Sequence, residues 1–186
     1  MNLPVNLYHY YEIEQGPFKN ITQNEFDKAL EIQKNISVGF NSKRPSNYIK
    51  LRFAVEKRLK QAFVVKGGIP KIDAPFYFTL GECPWLKSCY DNPGVIKIPL
   101  SNFKKEYISF TYPDSMISFQ IHDEPKLSFY KKSYYGKVYL LNEMIHLINQ
   151  YGLPSEKKWQ NQEAMKYDRY IEAQVWDDFI INQYKI

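Results

Sequence analysis

The sequence predicts an α+β fold, with N-terminal helices packed on a largely antiparallel sheet. Three observations predict it. Two amphipathic helical stretches precede residue 67, and short aromatic or β-branched runs dominate after residue 75. The 186 residues, 44% hydrophobic and 24% charged, suit one soluble globular domain over 1–186 with a core of its own. No repeat, low-complexity tract or long linker divides the chain.

Residues 5–11 alternate as a strand, which Gln15-Gly16-Pro17 breaks. Thr22 to Glu25 has the spacing of a capping box, with Ile21 and Phe26 as its staple. The helix it opens should run to about Ile36 and bury Phe26, Ala29 and Leu30. A loop follows at 39–46, and Pro45 can begin a second helix over about 44–65, ended by Gly67-Gly68. Tyr48, Leu51, Val55, Leu59 and Ala62 form its apolar stripe.

Strands are expected at 76–80 and 94–100. Residues 107–112 and 116–121 read as a hairpin around Pro113-Asp114-Ser115. A Lys- and Tyr-rich excursion covers 126–137. A helix at about 142–151 should bury Leu141, Met144, Ile145 and Ile148, with Gly152 at its C-terminal end. The last strand runs from 169 to 176. Its parity puts Ile171, Ala173 and Val175 on one face, and Tyr170, Glu172, Gln174 and Trp176 on the other.

The charge is concentrated. The chain carries +5, yet residues 41–66 hold eight basic side chains against Glu56 alone, which leaves the remainder slightly acidic. Such a helix reads as a solvated face or as a docking surface for an anionic partner. Only four of the 25 basic residues are arginine, which argues against base-specific reading of a duplex. Cys83 and Cys89 lack the ligand spacings of a structural zinc site, so no metal centre is expected. No apolar run is long enough to span a membrane, and residues 1–6 do not resemble a secretory signal, so a cytoplasmic protein is expected.

A carboxylate in mid-strand, sharing its face with two aromatics and an amide, is poorly explained by solvent exposure. Glu172 is therefore the leading candidate for chemistry. With Leu7-Tyr8-His9 at the start, Tyr77-Phe78-Thr79 in the middle and Glu172 late, the chain resembles the ADP-ribosyltransferase superfamily. The His-Tyr-Glu type, including the small bacterial rifampicin ADP-ribosyltransferases, is particularly similar. That resemblance implies a split sheet and NAD as substrate. It further implies that His9 holds the nicotinamide ribose, Tyr77 stacks on nicotinamide, and Glu172 stabilises the oxocarbenium-like ribose and positions the acceptor. Tyr10 and Tyr112 are the further residues expected at NAD. The acceptor would be a protein or a nucleic acid.

Two departures are visible. Tyr10 stands where the family usually has glycine, and Tyr170 stands where arginine-modifying members carry Gln or Glu. The second departure disfavours an arginine-directed toxin. Tyr8 to Tyr11, Gly16-Pro17-Phe18, Cys83 to Leu86, Ile108 to Tyr112 and Tyr170 to Trp176 also resemble an uncharacterised group of single-domain bacterial proteins. Two other readings stand beside the transferase. One is a non-catalytic binding module with an aromatic cleft and a basic helix, in phage defence or toxin–antitoxin biology. The other is a metal-dependent nuclease using Asp114, Glu172 and Gln174. Geometry separates them: the transferase needs His9, Tyr77 and Glu172 to line one cleft, and fails if Glu172 lies on a solvated outer face or if the sheet separates His9 from it.

Overall fold

Strand alternation builds the architecture. The computed structural model describes residues 3–36 and 40–185. Strands β1 (Asn6–Glu12), β2 (Phe76–Leu80), β3 (Pro93–Pro99), β4 (Ile108–Thr111) and β5 (Glu172–Val175) form one antiparallel sheet in the order β3-β1-β2-β5-β4. The α+β class holds.

Pairing is uneven across this sheet. β1 pairs with β3 along its whole length, but with β2 only at Leu7–Leu80 and Tyr8–Thr79. Beyond Tyr8 the two central strands part. The sheet is continuous, and β1 and β2 part at one end of it.

Directly opposed residues in an antiparallel ladder share a face. Register therefore places Leu7, Phe76, Phe78, Ala173, Val175, Ile108 and Phe110 together, and these belong to the larger apolar core. Tyr8, Tyr77, Thr79, Glu172, Gln174, Ser109 and Thr111 fall on the other face. β5 is an interior strand with both faces covered, so all four of its residues are buried.

The helices cover these faces. α1 (Phe26–Asn35) starts later than the capping box predicts. Thr22 lies in a preceding 3-10 turn, and its hydroxyl donates to Glu56 on the next helix instead of capping its own. Of the expected contacts only Ala29 is fully buried, while Phe26 is 39% exposed. Gly39, expected in the loop that follows, lies outside the described residues.

α2 (Tyr48–Val65) is the expected basic helix, and Gly67 ends it at a positive φ of 89° that glycine tolerates. Its buried face is Ile49, Arg52, Val55, Glu56, Leu59 and Phe63, and Leu51 points outward. The stripe is turned from the expected one because Arg52 and Glu56 are buried as a pair. Val55, Leu59 and Phe63 meet Phe119, Val138 and Trp176 in a second apolar cluster.

α3 (Pro84–Lys87) is short, and α4 (Ser115–Asp123) replaces the expected strand at 116–121. The Asp114 side chain accepts the Ile117 N–H at 3.1 Å, so the turn residue of the expected hairpin is a helix N-cap. α5 (Leu141–Tyr151) ends at Gly152 as expected and buries Met144, Leu147 and Ile148. α6 (Glu156–Asn161) leads toward β5. Among the described residues no helix is long and apolar enough to cross a membrane.

Candidate active site

Where β1 and β2 part, a cleft of about 610 Å³ opens beside α2 and the start of α4. His9, Tyr10, Tyr77 and Glu172 all line it, together with Arg52, Asp114 and Tyr170. All three border this cleft, but the sheet stands between them: His9 lies on the Leu7 and Phe78 face, and Tyr77 and Glu172 on the other.

Glu172 is 5% exposed. Its Oε1 accepts the Ser115 backbone N–H at 3.3 Å and the Gln174 amide at 2.9 Å. The Gln174 amide also donates to Thr111, its carbonyl accepts the Ser109 hydroxyl, and Ser109 accepts the Trp176 indole N–H. This chain of bonds runs along β4 and β5 and fixes the carboxylate without using its second oxygen. Oε2 has no hydrogen-bond partner among the described residues, and Glu172 lines the cleft.

Asp114 stands beside it, brought there by the start of α4. Burial, then the charge of Glu172, raises the Asp114 carboxyl to about 6. Two carboxyls held together in a desolvated site resist ionising together. Asp114 therefore changes protonation near pH 6.

Arg52 supplies the opposing charge. Its Nε donates to Glu56 at 3.1 Å, one Nη donates to Ser115 at 3.4 Å, and its guanidinium lies 3.7 Å from the Tyr77 ring centroid. Glu56 Oε1 also accepts from Thr22 at 2.8 Å and from the Tyr77 hydroxyl at 2.7 Å. Tyr77 thus has one ring face covered by a cation and its hydroxyl fixed. Burial first, and the carboxylates around it, push its phenol well above the ordinary value.

His9 requires a correction. Parity places its side chain with Leu7 on the Phe78 face, and its ring stacks 4.4 Å from Phe18. The Phe18 N–H donates to Nε2 at 3.0 Å, which leaves the Nδ1 proton to donate to the Tyr77 carbonyl at 2.9 Å. Both nitrogens are used, and burial lowers the imidazole to about 4. His9 bridges the parted strands as a neutral ring and has no group left to hold a ribose.

Tyr112 also requires correction. It lies on the apolar face, 1% exposed, stacked 4.8 Å from Tyr134 and outside the cleft lining. Tyr10 does line the cleft, with its hydroxyl accepting the Cys83 N–H at 2.7 Å.

Among the described residues, four of the eight basic side chains of 41–66 are paired with acids within the fold. Arg52 pairs with Glu56, Arg58 with Asp123, Lys60 with Asp73 and Lys66 with Glu143. Lys43, Lys50 and Lys57 remain exposed. Helical spacing shows where these cations lie but carries no sign of their acids, which come from distant segments.

Arg52 and Asp114 line the cleft, Glu56 backs Arg52 and Tyr77, and the transferase resemblance misses all three. The one local signal for Arg52 and Glu56 is their i, i+4 spacing. Asp114 and Glu172 do meet, as a nuclease would require, but the Gln174 amide is consumed by Thr111 and Glu172 and cannot orient a water. No group of three or more His, Cys, Asp or Glu placed to hold a metal ion occurs among the described residues. Comparison with protein-family profiles, curated proteins and solved structures gives no match.

Proposed function

We propose that the cleft transfers ADP-ribose from NAD to an acceptor, with Glu172 as the central group. The observation that carries this reading is the buried Glu172 carboxylate at an aromatic-lined cleft, fixed through one oxygen and with no bond from a described residue on the other. The bond from ribose to nicotinamide breaks with its electron pair going to the pyridinium ring, which leaves as neutral nicotinamide. Positive charge then develops on the ribose. A preorganised carboxylate in a water-poor site is the group best suited to stabilise it. The acceptor heteroatom bonds to the ribose carbon, and its proton passes to Asp114, which is available as a base once ionised above about 6. His9 has no direct part in this scheme; it keeps the parted strands bridged.

Incubation with NAD labelled in the adenylate moiety, in the presence of cell extract, tests the proposal. Wild type should release nicotinamide and label an acceptor, and Glu172→Gln should do neither. Equal transfer by both proteins overturns the assignment. A second reading, binding without chemistry, is favoured by the covered face and fixed hydroxyl of Tyr77. It predicts that NAD, or another ligand, is retained and recovered intact.

A further inference from the structure

A second cavity of about 600 Å³ adjoins the cleft and shares Tyr8, Trp85 and Tyr170 with it as walls. Trp159 and Arg169 complete its distinctive lining. The Arg169 guanidinium lies 4.1 Å from the Trp85 ring centroid and 5.5 Å from that of Trp159. The two indoles meet edge to face at 6.5 Å, and Trp85 stacks on Tyr170 at 6.3 Å.

Arg169 differs from Arg52 and Arg58, each of which is paired with a carboxylate. Its Nε donates to the Lys166 carbonyl at 3.2 Å, and no carboxylate pairs with it among the described residues. The Nη groups therefore stand on an aromatic wall with their donors unspent. Trp85, Trp159 and Tyr170 are all only partly buried and line the cavity together.

We infer that this second cavity is a nucleobase subsite. A planar heterocycle stacks on indole and phenol faces irrespective of its sequence context, and a guanidinium edge donates to ring nitrogens, carbonyls or phosphate oxygens. Glu82 and Glu156 also line the cavity and are exposed. They disfavour a run of phosphates, so stacking supplies the attraction and the salt dependence of binding should be shallow. The base comes either from a single-stranded nucleic acid or from a free nucleotide, the dinucleotide's second base included. The shared walls put such a base beside the cleft that Glu172 lines. Its role as acceptor site or second-base site rests on the proposed transfer, whereas the binding itself does not.

Tryptophan fluorescence of the full chain tests the subsite without any turnover. Three probes are titrated separately: a six-nucleotide single-stranded DNA of mixed sequence, AMP and NAD. At least one should quench the emission saturably. Trp159→Ala and Arg169→Ala should each weaken that probe about five- to 150-fold, the range seen when single stacking residues are removed. Arg169→Lys, which keeps the charge but not the plane, should recover little. DNA tighter than AMP and NAD assigns the base to a nucleic acid, and the reverse order assigns it to a nucleotide. The inference is overturned if no probe binds, or if the Trp159 and Arg169 variants bind as wild type while retaining its thermal melt. Glu172→Gln serves as the control: it should abolish transfer and leave oligonucleotide or AMP quenching unchanged, so that failure of the chemistry and failure of the subsite are read apart.

Discussion

The two faces of the sheet are both buried, yet they are built from different chemistry. On one side Leu7, Phe78, Ala173, Val175, Ile108 and Phe110 pack into a dry core. On the other, Ser109, Thr111, Gln174 and Glu172 form a bonded polar row that ends at the cleft. Removing apolar area from water stabilises the first face without regard to direction. The second face gains little net energy per hydrogen bond, but each bond sets a direction. The dry face thus holds the strands in place while the polar face aims the carboxylate.

The sharpest way to break this contrast is to delete one element from each side. Phe78→Ala should cost about 3–5 kcal/mol in urea unfolding, because the surrounding core relaxes only partly into the space left. On the polar side, Arg52→Ala should cost a similar 3–5 kcal/mol by leaving Glu56 buried without its cation. The double variant Arg52→Met, Glu56→Leu should recover much of that loss in the same unfolding measurement, which no second change near Phe78 would do.

Glu172→Gln probes direction instead of stability. It should lower nicotinamide release by about 100-fold or more, while shifting the unfolding midpoint little, since the Ser115 N–H still finds an oxygen. A large loss of stability with activity retained would invert the assignment of the two faces.

The faces should also titrate in opposite senses. His9, lowered to about 4, contributes stability that is complete above its unfolded value near 6.5 and is lost as pH falls through about 4. Asp114, raised to about 6, contributes stability that is complete below its unfolded value near 3.8 and is lost as pH rises through about 6. Asp114→Asn keeps an N-cap and should therefore gain on wild type by about 2 kcal/mol between pH 4 and pH 7, read from paired unfolding curves. A gap that does not widen over this interval would show that the carboxyl is not desolvated beside Glu172.

The smallest effect is expected on the helix that carries most of the charge. Lys50→Gln and Lys57→Gln should each change stability by less than about 0.5 kcal/mol, because both side chains are solvated. Loss of binding to the six-nucleotide DNA in these variants would restore the helix as a docking surface.

Much of the fold was legible. β2 and α5 fall within a residue of their expected bounds, and Gly152 ends its helix as read. Misreadings have local causes. Residues 116–121 alternate in polarity, but an acidic N-cap outweighs a short period-two pattern. Thr22 has capping-box spacing, but a buried carboxylate across the fold is the partner it takes. In the site, parity along 170–176 placed Glu172 on the face that carries Tyr77 and Thr111, because alternation is a property of the strand itself. The motif that selected His9 placed it on the correct strand but could not show that both its nitrogens were bonded to backbone.

The sequence by itself determined the local geometry: which stretches are helical or extended, which side chains share a face, and where the positive charge is concentrated. These follow from backbone periodicity and composition, which need no knowledge of distant residues. Tertiary structure alone decided the chemistry. Ser115 reaches Glu172 from 57 residues away and Arg52 reaches Ser115 from 63, so the acid pair, its counter-cation and the state of every proton among them are products of packing. The basic helix shows the same division. Its charge was plain in the sequence, but its partners Asp73, Asp123 and Glu143 come from other segments, and only their approach pairs Arg58, Lys60 and Lys66 within the fold.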